Sequence, residues 1–195
     1  MSRKKRNPGG NRNPKLSPQN YIRQKVRNLP IEVCYITPDW DVKGMAKIVV
    51  VRTHKNGNKT LGIFLIDLFC LGIKDTFYSF NIPASTVENY FLQDMELEKI
   101  DYDTVHNIIY GAADYASGLG IEPYADWKLT QYILEANNGA IPKILIEFGK
   151  NGKPCFMSGP HDDSNRINKI LNILDRNVGT GNYNFMIPTS EYDEF

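Results

Sequence analysis

The stretch "GMAKIVVVRTHKNGNKTLGIFLIDLFCLG", residues 44–72, decides how this chain folds. Two runs rich in β-branched and aromatic residues, Ile48–Val51 and Leu61–Ile66, lie on either side of Asn56-Gly57. Such runs suit a pleated, half-buried backbone, and Asn-Gly readily takes the positive φ that a tight hairpin turn requires. The stretch predicts an antiparallel hairpin closed by a two-residue type I′ turn, with Asp67 opposite Ala46. Both runs are apolar on both faces near their centres, which implies a sheet covered on both sides there.

Working outward, "IEVCYI" (31–36) supplies a strand ahead of the hairpin. Three helical stretches follow it. "PASTVENYFLQDME" (83–96) has Ser85 and Glu88 at capping-box spacing. In "DYDTVHNIIYGAADYASGLG" (101–120), Val105, Ile108, Ile109, Ala112 and Ala116 recur at helical spacing, and Gly118 and Gly120 are stop signals. "ADWKLTQYILEAN" (125–137) is the third. "KILIEFGKNGKPCFMSG" (143–159) reads as a second hairpin around Asn151-Gly152. "DDSNRINKILNILDRNVG" (162–179) is a helix with Ile167, Ile170, Leu171 and Leu174 on one face, and "NYNFMIP" (182–188) a closing strand. The order βββ-ααα-ββ-α-β, with hairpins and no regular βαβ alternation, is that of an α+β domain.

The ends of the chain differ from its middle. Residues 1–28 carry Arg3, Lys4, Lys5, Arg6, Arg12, Lys15, Arg23, Lys25 and Arg27, and no acidic residue precedes Glu32. The residues after Leu29 hold 14 basic and 22 acidic side chains, so the net charge of +1 conceals a positive segment joined to a negative body. Residues 1–20 are rich in Asn, Pro and Gly and have little to bury, so 1–28 reads as a mobile basic tail. "QNYIRQKVRNLP" offers one or two helical turns before Pro30. Residues 29–195 read as the globular domain, long enough to bury a core without metal or disulfide staples.

The composition also excludes several classes. Cys34, Cys70 and Cys155 are odd in number and widely spaced, against a disulfide framework or a structural zinc site. The basic N-terminus is followed by no apolar h-region. "GIFLIDLFCLGI" (62–73) is too short and, with Asp67 inside it, too polar to span a bilayer. A cytoplasmic location is the expectation.

Several residues could carry chemistry. Asp67 stands in an apolar strand, where an unpartnered carboxylate is costly and holds its proton more tightly. Lys74, His106 or His161 could meet it; otherwise it is a structural carboxylate that holds the following loop. Cys70 is either a nucleophile awaiting a histidine or a small buried hydrophobe. His106, Tyr110 and Asp114 form a polar stripe four residues apart on one helix. His161, Asp162 and Asp163 precede a helix, where Asp and Ser cap free N–H groups. "NVGTGN" (177–182) lacks the lysine and Ser/Thr of a phosphate loop and precedes a strand, so it reads as a turn.

Three stretches, "GNKTLGIFLIDLFCLGIKDTFY" (57–78), "HNIIYGAADYASGLGIEPYADW" (106–127) and "GPHDDSNRINKILNILDRNVGTGNYNF" (159–185), together resemble a group of uncharacterised bacterial proteins. The resemblance spans roughly residues 30–187 and implies a single bacterial-type domain. It implies no activity, cofactor or site residue.

The basic tail therefore carries the functional expectation. Arg and Lys form charge-assisted bonds to phosphates, and arginine-rich segments of this kind commonly fold on structured RNA. The expected protein is non-enzymatic, associated with RNA or with rRNA in the ribosome, and takes no cofactor or metal. Two alternatives stand beside it. One is a metal-dependent, nuclease-like hydrolase using Asp67, His161 and Asp162; the other is a module that binds a protein partner.

Overall fold

The two runs around Asn56-Gly57 form the centre of a five-stranded sheet. The computed structural model describes residues 16–87, 89, 96–159 and 162–187. Strands β1 (Ile31–Ile36), β2 (Met45–Thr53), β3 (Lys59–Asp67), β4 (Gly72–Ile82) and β5 (Glu98–Ile100) pair antiparallel in the order β4-β3-β2-β1-β5. A separate parallel pair joins β6 (Cys155–Met157) to β7 (Asn184–Met186). Among the described residues six α-helices complete an α+β fold: α1 (Pro18–Lys25), α2 (Trp40–Lys43), α3 (Ala84–Val87), α4 (Tyr102–Gly118), α5 (Trp127–Thr130) and α6 (Ser164–Asn177).

Period-two alternation sends the sheet's apolar residues to both faces. Ile36, Ile48, Val50, Phe64 and Ile66 pack with Val105, Ile108, Ile109 and Ala112 of α4 and with Ile22 of α1. Val49, Val51, Leu61 and Ile63 form a smaller cluster with Val87 and Leu97 on the other face. The centre of the sheet is thus covered twice, as its composition predicts. A third cluster lies beyond the sheet, where Ile170 and Leu174 of α6 pack on Cys70, Leu71, Ala116 and Phe156.

Local signals set the two long helices. The Asp101 side chain accepts the Thr104 N–H at 2.8 Å and starts α4. The helix ends at Gly118, and Gly120 turns the chain at φ +82°. There a side chain would collide with Asn177, whose Nδ2 donates to Leu119 O and fastens the end of α4 to the end of α6. Asp163 starts α6 by accepting the Arg166 N–H at 2.7 Å.

The structure corrects several sequence expectations. Thr53 pairs with Lys59, so the first turn has one residue more than expected and Asp67 faces Met45 rather than Ala46. Gly57 donates its N–H to His54 O and alone in this turn has positive φ, the arrangement of a three-residue loop rather than type I′. The type I′ signature occurs instead at Asn151-Gly152, where both residues have positive φ between paired Lys150 and Lys153. No hairpin extends from that turn, because Gly149 and Cys155 donate to the β3–β4 connection and β6 pairs with β7. Strands β4 and β5 were not anticipated. The third helical stretch is one turn of α-helix, α5, followed by a 3₁₀ turn at Gln131–Ile133. Glu88 of the expected capping box lies outside the described residues.

The boundary of the tail moves too. Residues 18–28 form α1 and a 3₁₀ turn, with Ile22 and Val26 fully inside the core. Ile22, Val26 and Leu29, spaced four and three apart, form the apolar stripe that seats this segment. Its seat depends on Arg52 of β2, which shares the sheet face of Ile48 and Val50 and is 1% exposed. Arg52 Nη1 donates to Leu29 O at 2.5 Å, and Nε to Ile133 O at 2.6 Å. Nη2 pairs with Glu135 Oε1 at 2.6 Å, while Nη1 also reaches Arg27 O at 3.5 Å. One cation thus satisfies carbonyls from both irregular segments beside it. A buried charge so satisfied is stable in place, and its removal strands several acceptors at once.

Arg52→Met is expected to cost about 3–5 kcal/mol, because methionine fills the volume but leaves the carbonyls and Glu135 unpaired. Glu135→Gln, at a partly exposed position and still an acceptor, should cost about 1 kcal/mol. Urea unfolding of the two variants measures both, and a wild-type midpoint for Arg52→Met would refute this role.

Candidate functional site

The connection between β3 and β4, Leu68–Leu71, is buried at every position. A buried turn must find partners for its backbone polar groups within the protein. Asp67 supplies one set: its Oδ1 accepts the N–H of Phe69 at 2.9 Å and of Cys70 at 3.0 Å. The 149–155 segment supplies the other, with Gly149 N–H donating to Leu68 O at 2.9 Å and Cys155 N–H to Phe69 O at 3.0 Å. Asp67 thereby holds the loop that follows it, one of the two roles its sequence context allowed. Its Oδ2 has no partner among the described residues. Burial pushes the carboxyl up to about 6, against the opposing pull of the Phe69 and Cys70 N–H groups and the Lys74 charge.

The other catalytic candidates do not join Asp67 in a reacting group. Cys70 is fully buried, and burial raises its thiol well above the ordinary range, with Asp67 and Cys155 acting in the same direction. Such a thiol is not a poised nucleophile. His54 bonds Thr60 Oγ1 at 2.7 Å and lies among the rings of Tyr21 and Phe80. His106 sits between Tyr102 and Tyr110 rather than beside Asp67, and its burial lowers its pKa. His161 lies outside the described residues. Asp162 accepts the Gly159 N–H at 2.7 Å and pairs with Arg166 Nε at 3.0 Å. Among the described residues no group of three or more His, Cys, Asp and Glu side chains could hold a metal ion.

The basic candidates divide into three. Arg3, Lys4, Lys5, Arg6, Arg12 and Lys15 lie outside the described residues. Arg23 and Lys25 are exposed on α1. Arg27 is committed to the fold: its Nε donates to Leu134 O at 2.7 Å, and its guanidinium lies over the Tyr132 ring at 5.3 Å.

A cleft that sequence reasoning missed lies between β4, the 120–124 segment and α6. It has a volume of about 270 Å³, a floor of Leu71, Ile73, Ile121 and Ile170, and the cations Lys74, Arg166 and Lys169 at its margins. Tyr124, 45% exposed, stands at its edge, where its backbone N–H donates to Ile73 O. On the adjoining face of α6 a shallow hollow of about 420 Å³ is lined by Asn165, Asn168, Lys169, Asn172, Ile173 and Arg176. Lys169 and Ile173 border both. The signal was present in the sequence, because the polar residues of α6 recur at the same helical spacing as its apolar ones.

No known protein family, curated protein or solved structure matches the chain. Among the described residues no helix is long and apolar enough to cross a membrane.

The buried Asp67 carboxyl gives a pH test of its role. Its folded pKa of about 6 exceeds the ordinary 3.8, so the stability it contributes is fully present below about pH 4 and is lost as pH rises through 6. The loss is of order 2–3 kcal/mol. Asp67→Asn keeps an acceptor for Phe69 and Cys70 without a buried charge. The variant should therefore gain thermal stability relative to the wild type between pH 4 and 7. A pH-independent difference between the two melting temperatures would contradict this.

Proposed function

We propose that this protein binds RNA, either as structured RNA or as rRNA within the ribosome, and that its basic N-terminal segment makes the phosphate contacts. The carrying observation is the run of nine basic side chains with no acidic residue before Glu32. Arg27 is assigned to the fold, so the proposal rests on the other eight. Arg and Lys on a duplex or single strand release condensed counterions, a sequence-independent source of affinity. The acidic body limits the contact to a defined part of the surface rather than a full wrap. In this reading α1 is a folded base, with Ile22 and Val26 in the core and Arg23 and Lys25 exposed. A non-enzymatic role in the cytoplasm, where ribosomes are met, is part of the proposal.

The placement of α1 determines the experiment. A chain beginning at Asn28 would lose core residues as well as charge, whereas deletion of residues 2–15 removes six cations and leaves α1 intact. Co-sedimentation with ribosomes and with structured RNA should be compared for the full chain and this deletion across a salt series. With about five phosphates neutralised, the slope of log K against log salt is near −3.5, a loss of roughly a hundredfold between about 50 and 200 mM. The deletion should flatten that slope. Equal affinity and slope for the two chains would overturn the proposal for the tail.

A further inference from the structure

We infer that the two hollows beside α6 form a second RNA contact, in which a single-stranded nucleotide places its base in the apolar cleft and its phosphates along the helix. This inference rests on the RNA-binding reading and names a second place where RNA is held. The cleft joins an apolar floor to three cations from two separate elements, Lys74 from β4 and Arg166 and Lys169 from α6, against one carboxylate in its lining, Glu122. A ligand that matches both must carry an apolar face and negative charge on adjoining groups. An unstacked nucleotide does, and exposed aromatic rings such as Tyr124 are the usual seats for unstacked bases.

The hydrogen-bond commitments around α6 point the same way. Its acidic groups are already engaged within the protein. Asp162 accepts from Gly159 and Arg166, Asp163 caps the helix, and Asp175 accepts from Thr180 Oγ1 and Tyr183 Oη. Lys169, Arg176, Asn165, Asn168 and Asn172 are exposed and make no side-chain hydrogen bond among the described residues. The outward face of α6 therefore offers uncommitted donors, two of them cationic. Amide side chains serve both phosphate oxygens and base edges. Lys169 borders both hollows, so a strand can pass from the cleft over the helix without leaving this surface.

The wall geometry is fixed in advance. Asn177 fastens the end of α4 to the end of α6, and Tyr124 is tied to β4 through Ile73 O. A preorganised cleft does not have to order its walls when a ligand enters.

The test uses the full chain and a fluorescent single-stranded RNA of about twelve nucleotides, long enough to cross one such groove. Lys169→Gln/Arg176→Gln should reduce affinity about tenfold and lessen the salt slope by about 1.4, the share of two phosphates on a single strand. Tyr124→Ala should cost about tenfold with the slope unchanged, because stacking releases no counterions. All three positions are exposed, so melting temperatures should stay at the wild-type value. Undiminished binding by both variants, with loss on deletion of residues 2–15, would overturn the α6 site and leave the tail reading standing. Loss in the α6 variants with full binding by the deletion would uphold the site and remove the tail. No RNA binding by the full chain would end both. Displacement of the RNA by polyglutamate at equal charge concentration would mark a general anion surface and overturn the nucleotide site.

Discussion

The guanidinium of Arg52 is the constraint on which much of the architecture depends. It lies in the central strand β2, under α1 and the 131–135 segment, and holds the carbonyls of Leu29 and Ile133 together with the Glu135 carboxylate. Segments without regular secondary structure leave backbone groups without ladder partners, and burying them requires another donor. A planar group with five N–H donors serves several such acceptors at once, which a lysine ammonium at the same depth could not do with the same geometry. Its neighbours extend the network: Tyr102 Oη accepts the Glu135 N–H at 2.6 Å, and Tyr110 donates to Glu135 O at 3.2 Å. The N-terminal helix, the sheet and α4 meet there.

A comparable solution recurs at the opposite end of β3. Asp67 satisfies N–H groups of a buried turn, as Arg52 satisfies carbonyls of buried loops. Each is a charged residue inside an apolar strand, and each holds irregular backbone against the sheet. This accounts for the two most conspicuous charges of the 44–72 stretch without catalysis. On the proposed reading a partner meets Arg23 and Lys25 of α1 and the uncommitted donors of α6, all of them exposed.

Much of this was legible in the sequence, and the failures have physical causes. The central hairpin, α4 with its five inward residues, and α6 with its apolar face follow from local periodicity. The hairpin register was missed by one residue because Asn-Gly serves two turn types, and only long-range packing chooses between them. Strand β4 went unread because its buried positions cluster at its start, leaving "KDTFYSFN" without clean alternation. The parallel pairing of β6 with β7 joins distant segments and leaves no local mark. The helical turns of "QNYIRQKVRNLP" were legible, but its charge hid that Ile22, Val26 and Leu29, correctly spaced, seat the segment in the core. For the candidate site, Asp67 was noticed as a charge in an apolar strand. Arg52 carries the same kind of signal in the paired strand, but the carbonyls it serves, Leu29 and Ile133, come from segments that only the fold brings to it. The cleft beside α6 needs three segments that only the fold brings together.

Hydrogen–deuterium exchange of the full chain, free and with single-stranded RNA, tests the central claim that a folded base presents RNA-binding surfaces. Without RNA, amides of Tyr21–Leu29 should exchange as slowly as those of β2, since both depend on the Arg52 network. With RNA, protection should increase in residues 1–15, 119–124 and 164–176 and stay unchanged in β1 and β2. Fast exchange of Tyr21–Leu29 in the free protein, as at a fraying terminus, together with no RNA-dependent protection in these segments, would contradict the account.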